Sequence, residues 1–276
     1  MTYFLNFRSA GVGGAVIDPY LLEGDGTTDP PSLSVVPWAQ APAIFAGRNI
    51  LFATHGFNVN YASGAKALGR LGDYLALPSP NLFIGMLWPG DAWLPVVDYP
   101  FEGDVAIDCG QRLAQFCNTW AAGAQSVSFA SHSLGARFVL QAIMSITGRI
   151  DTACIAAGAI NCDCFTAEYA AALGRVATVS LLASHSDDVL KIAFTIGDPF
   201  ADLLHDDHTP FRPALGYSGP AVPASAQILA PWQIADSLDY GHGNYLPSDG
   251  DDKWKKVADF MRLTFLRMPS PWPGAV

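Results

Sequence analysis

Residues 126–143 read SVSFASHSLGARFVLQAI. The opening SVSFA is a short apolar run of the kind that forms a buried strand, and the closing LGARFVLQAI carries apolar side chains at helical spacing. Between them lies Ser131-His132-Ser133-Leu134-Gly135. Where a strand turns sharply into a helix, the central side chain of such a pentapeptide is thrust above the sheet. Small residues two places before and two after keep the neighbouring segments from colliding. Ser133 is therefore the candidate nucleophile. The usual G-x-S-x-G pattern departs here at its first position, where Ser131 is small but not glycine. A plain polar turn with Ser133 as a helix N-cap fits the pentapeptide equally well, so the surrounding chain has to decide.

Outward from this stretch, short apolar runs alternate with longer amphipathic ones. Strands are expected at Asn49–Thr54, Asn81–Leu87, 126–130, 152–159 and 176–183. Helices are expected at 61–77, 105–122, 134–147, 168–173 and 251–266. Strands alternating with helices imply a mostly parallel central sheet with helices on both faces. Near-continuous apolar strands are what a sheet covered on both faces requires. The chain reads as one domain spanning 1–276, with 1–48 an irregular N-terminal extension containing short strands. Within it, 18–42 is rich in Pro, Gly and Asp, with a possible strand at 34–38. The segment 198–234 carries six prolines and little periodicity, and reads as a cap-like insertion. Gly11-Val12-Gly13-Gly14 lacks the third glycine of a dinucleotide fingerprint.

Composition narrows the function classes. Half of the 276 residues are hydrophobic and only 14% are charged, which excludes disorder and a coiled coil. Net charge is −10, and the basic cluster Lys253, Lys255, Lys256 is flanked by Asp249, Asp251 and Asp252. A nucleic-acid partner, which needs a basic face, is not expected. No apolar run approaches the ~18 residues of a membrane span, and the N-terminus lacks a basic region leading into an apolar one. The five cysteines form no CxxC and read as small buried thiols. A cytoplasmic location is the resulting expectation.

Three stretches together carry a resemblance: NILFATHGFNVN at 49–60, SVSFASHSLGAR at 126–137, and YGHGNY at 240–245. They resemble the serine esterases and lipases of the α/β-hydrolase superfamily, in particular a largely uncharacterised bacterial group. The resemblance runs from about Asn49 to Leu266. It implies a catalytic Ser, acid and His in that chain order. His185, His205, His208 and His242 follow Ser133. His185 precedes the best acid and so falls out of order. His205 and His208 sit in HDDH, which reads as a solvated acidic loop more readily than as a metal site. His242, in Gly241-His242-Gly243 before the final helix, matches the family position for the base. Asp187 and Asp188 follow the expected strand at 176–183, and the resemblance favours Asp187, leaving Asp188 as a helix-start residue. Asp236 and Asp239 are the alternatives, being close to His242 in sequence.

The family also implies an oxyanion hole from the backbone amides of Phe57, in the turn after the strand expected at Asn49–Thr54, and Leu134, after the nucleophile. Gly56 lets the backbone approach closely, and His55 orients the turn. Trp88 and Trp93, with Tyr99 and Phe101, crowd the loop after the strand Asn81–Leu87, while Trp232, Tyr240 and Tyr245 surround the histidine. Gly56, Trp88, Trp93 and Trp232 are thus expected to bind a small hydrophobic ester. No cofactor or metal is expected. The alternatives are a lipase, thioesterase or amidase on the same triad, or a non-catalytic binding protein of the same fold.

Overall fold

The computed structural model describes residues 1–10, 12–91, 95–195 and 212–273. Its nine strands among these residues are β1 Thr2–Arg8, β2 Val16–Asp25, β3 Ser32–Val35, β4 Asn49–Thr54, β5 Asn81–Leu87, β6 Ser126–His132, β7 Ile150–Ala156, β8 Val176–Leu182 and β9 Ile228–Leu229. They form one sheet in the order β3-β2-β1-β5-β4-β6-β7-β8-β9. From β1 through β9 neighbouring pairs run parallel, and β2 and β3 add antiparallel strands at one edge. This is an α/β fold with a mostly parallel sheet, as the alternation predicts.

Eight helices accompany the strands among the described residues: α1 Ala41–Phe45, α2 Tyr61–Leu75, α3 Pro95–Thr119, α4 Gly135–Ile143, α5 Ala170–Leu173, α6 Asp188–Thr195, α7 Leu215–Ser218 and α8 Lys253–Phe265. Side chains of a strand point alternately to its two faces, and β4 shows the result. Ile50 and Phe52 join a core with Phe45, Leu113 and Phe138 from α1, α3 and α4. Leu51 and Ala53 join the opposite core with Leu68, Leu71, Val257 and Met261 from α2 and α8. Helix α2 buries Ala65, Leu68, Leu71 and Leu75 at the expected spacing, and Asn60 caps its start by accepting the Ser63 amide at 2.9 Å. No described helix is long and apolar enough to cross a membrane.

The N-terminal region departs from expectation. It is not an irregular extension: β1 lies inside the sheet between β2 and β5, and β2 is a ten-residue strand. The strand expected at 34–38 is found as Ser32–Val35. Buried polar residues hide β1 in the sequence. Asn6 donates to the Tyr20 hydroxyl at 2.7 Å, and Arg8 pairs with Asp91 at 2.7 Å. The described part of the segment expected as cap-like, within 198–234, holds two short elements. There the Leu215 and Gly216 amides of α7 donate to the Ile160 and Gly158 carbonyls past the end of β7, and β9 extends the sheet beside β8. Residues 198–211 lie outside the described set.

After β4 the chain goes to β5 on one side, and after β5 it returns to β6 on the other side of β4. The carboxyl ends of β4 and β6 therefore flank a topological switch point, where open α/β sheets form a crevice.

Candidate active site

Ser133 stands at that point. It follows β6 directly and has φ +54°, a left-handed conformation that costs a non-glycine residue about 1 kcal/mol or more. The strain is held by hydrogen bonds on both sides: the Ser133 amide donates to the Ala156 carbonyl, and its own carbonyl accepts from Ala136 and Ala159. Two glycines make room. A methyl group on Gly135 would lie 2.6 Å from the His55 carbonyl oxygen, and one on Gly56 would lie 2.8 Å from Ser133 Cβ. The departing first position, Ser131, is accommodated as an interior strand residue. It pairs with Thr54 and Ile155 and is buried, with its hydroxyl lacking a hydrogen-bond partner among the described residues.

Three loops bring one row of polar groups together. His242 Nε2 lies 2.8 Å from Ser133 Oγ, and His242 Nδ1 lies 2.8 Å from Asp187 Oδ2. A carboxylate only accepts, so Nδ1 carries the proton, and in the neutral ring Nε2 is free to accept from the serine hydroxyl. Asp187 is completely buried, and its other oxygen accepts the Leu190 amide at 3.0 Å, in the first turn of α6. His242 begins a single 3-10 turn, His242–Tyr245, whose entry is fixed by the Gly241 amide donating to Asn244 Oδ1. Asp188 starts α6 and Asp236 pairs with exposed His185 at 3.4 Å, while the Asp239 carbonyl accepts from Lys253. None of these three carboxylates is brought to His242.

A family model described as "Alpha/beta hydrolase of unknown function (DUF900)" matches residues 44–206. The chain belongs to this family of α/β hydrolases. The comparison with curated proteins found no match. The matched residues of this α/β hydrolase include Ser133 and Asp187 and stop short of His242, which the fold supplies from beyond them.

The remaining expected site residues divide. The Leu134 amide opens the first turn of α4, where backbone N–H groups have no intrahelical acceptor. Phe57 follows Gly56 in the turn beside Ser133 and is partly buried against the core. Trp88 is a correction: it is fully buried and cannot touch a substrate. Its indole N–H donates to the His55 carbonyl at 3.0 Å and its ring stacks on His55, so it supports the turn from below. Trp232 packs at the β9 edge against Gly219, and its carbonyl accepts the Ala183 amide, a position that gives no support to a substrate wall. Trp93, His205, His208 and the side chains of Tyr99 and Phe101 lie outside the described residues.

His55 behaves as an orienting residue. Its Nδ1 faces the Gly56 carbonyl at 2.8 Å and so carries the proton, while Nε2 faces the Trp88 amide at 3.4 Å and accepts. Loss of solvation pushes its imidazole down to about 4, and the nearby Arg8 charge adds to this. Two features went unread in the sequence, and the first had no local signal. Arg8, at the end of β1, sets Nη2 against both oxygens of Asp91 at 2.7 and 2.8 Å, with both residues buried. His132 donates toward the base loop, although its place inside the pentapeptide could have drawn attention to it. Among the described residues no group of three His, Cys, Asp or Glu side chains is arranged to hold a metal.

Proposed function

We propose that this α/β hydrolase cleaves carboxylic esters through a serine acyl-enzyme. The observation that carries the reading is the unbroken row Ser133 Oγ, His242, Asp187, with both hydrogen bonds at 2.8 Å. A serine hydroxyl is a weak nucleophile until a base takes its proton. As Ser133 Oγ forms a bond to the ester carbonyl carbon, its proton passes to His242 Nε2. The buried Asp187 carboxylate then faces the imidazolium and stabilises it. Negative charge collects on the carbonyl oxygen, and the amides of Leu134 and Phe57 are the assigned donors, each worth ~10²–10³ in rate. His242 returns the proton to the departing alcohol. Water then enters and attacks the acyl carbon while losing a proton to the same nitrogen; the bond to Ser133 Oγ breaks, Oγ takes that proton back, and the acid leaves.

Two experiments test this reading. Ser133→Ala should abolish hydrolysis of p-nitrophenyl esters, and wild-type protein should react with a fluorophosphonate at Ser133. A protein of this fold that only binds ligands would not label, and a variant retaining more than a few per cent of turnover would move the nucleophile elsewhere. Assay of esters from acetate to palmitate defines the acyl preference, and thioester and amide analogues separate the thioesterase and amidase alternatives.

A further inference from the structure

His132 precedes Ser133 directly, and its side chain reaches the base loop. Its Nε2 lies 2.9 Å from the His242 carbonyl oxygen. A carbonyl only accepts, so Nε2 carries the proton and Nδ1 is bare. That bare nitrogen faces the oxyanion turn: a methyl group on Gly56 would sit 3.1 Å from it. The ring lies 4.8 Å from the His242 ring, tilted by 43°, and stacks with buried Tyr245 at 5.8 Å. One imidazole therefore touches the elbow, the oxyanion turn and the base loop.

Several further backbone and side-chain anchors of the base loop run toward the start of α8. The Tyr240 hydroxyl donates to the Lys253 carbonyl, and Asn244 bonds Gly241 and Asp251. These fix the loop to the start of α8 and leave its spacing from Ser133 to other contacts. We propose that His132 is a positioning residue, whose hydrogen bond to the His242 carbonyl sets where the base meets the nucleophile. The inference rests on the serine-hydrolase reading and names a further part of the same site. Burial, reinforced by the facing His242 ring, pushes the His132 imidazole down to about 3. The ring thus stays neutral, with one fixed tautomer, throughout the working pH range. The tie joins two backbones that both carry reacting side chains. A displacement of about 1 Å between such groups costs on the order of 10² in rate.

The test compares His132→Phe, which keeps a ring against Tyr245 but has no donor, with His132→Gln, whose amide N–H can reach the same carbonyl. His132→Phe should lower kcat and the rate of fluorophosphonate labelling by about 10–100-fold with KM little changed. His132→Gln should recover most of the loss. A second readout needs no turnover: the low-field NMR resonance of the His242 Nδ1 proton facing Asp187 should be lost in His132→Phe and kept in His132→Gln. Equal labelling rates and an unchanged resonance in His132→Phe would overturn the role. So would a loss that His132→Gln fails to recover, which would mark the ring as packing alone. If wild-type protein does not label but the resonance follows this pattern, the positioning stands and the hydrolase reading falls. Should His132→Phe fail to fold, His132→Leu takes its place.

Discussion

Asp91 and Asp187 both lie just past the carboxyl end of a parallel strand, both are almost entirely buried, and each faces one nitrogenous side chain. Their surroundings differ. Asp91 meets the guanidinium of Arg8, whose side chain is about as buried as its own, and the two charges meet through two hydrogen bonds. Asp187 meets an imidazole that is about one-fifth exposed and whose far nitrogen continues to Ser133. The first pair sets no nitrogen against a nucleophile and holds segments together. It pins β1 to the loop after β5, and the Gly90 carbonyl of that loop accepts the Asn58 amide at 2.5 Å beside the oxyanion turn. The second pair leaves an imidazole nitrogen against Ser133 Oγ, where the proposed mechanism needs a proton acceptor. Burial of a charged pair alone does not distinguish the two. What does is whether the basic partner has a second nitrogen placed against a nucleophile.

Asp187→Asn should cost about 10⁴ in turnover, because an amide disfavours the reactive tautomer of His242. Asp188→Asn should change turnover little, since Asp188 only starts α6. Turnover of both variants, with circular dichroism to confirm folding, checks the split, and a reversed order would transfer the acid to Asp188. Arg8→Leu should instead act on stability. It leaves Asp91 buried and uncompensated, at about 3–5 kcal/mol, while activity per folded molecule stays within a few-fold. Chemical denaturation and active-site titration measure the two quantities separately, and an unchanged denaturation midpoint would sink the structural assignment.

Acid should also weaken the fold. His55 is held at about 4 and His132 at about 3, below the ordinary value of ~6.5. Between those limits the unfolded chain binds more protons than the folded one, so stability declines as pH drops through the window. Each histidine contributes on the order of a few kcal/mol over its full range. Denaturation midpoints at pH 7, 6, 5 and 4 should decrease steadily, and a flat series down to pH 4.5 would contradict the buried neutral rings. The smallest effect belongs to Ser131→Ala. Removing a buried hydroxyl without a partner should stabilise the protein by about 1 kcal/mol and leave turnover unchanged. A thermal melt reads the first quantity, and a loss of stability would reveal a partner for that hydroxyl.

Legibility in the sequence followed locality. β4 and β5 occur with their expected bounds because apolar runs bounded by turns need no distant partner to be recognised. The elbow was visible because strand, pentapeptide and helix are contiguous. Ser133, Asp187 and His242 come together as the chain order suggested, whereas Trp88 does not line a crevice. Its aromatic character gave no hint that its indole N–H would bond His55 from beneath. β1 was missed for a related reason. Asn6 and Arg8 make TYFLNFR look too polar for an interior strand until Tyr20 and Asp91 are placed beside it. Helix ends were also displaced. α4 stops at Ile143 where the pattern runs to 147, because Ser145 and Ile146 both turn back to the Ala142 carbonyl. The helix expected from residue 105 begins at Pro95, a residue preset for a first helical turn.

The base stands 109 positions after the nucleophile and 55 after the acid. During synthesis the elbow therefore leaves the ribosome well before the histidine that would activate it. A chain cut between residues 187 and 242 carries a serine and a carboxylate but no base. On the proposed mechanism, competence is thus withheld until the segment carrying His242 has been made and has docked beside Ser133. Hydrolysis measured on nascent or truncated chains would report the arrival of His242 at the elbow, not formation of the central strands.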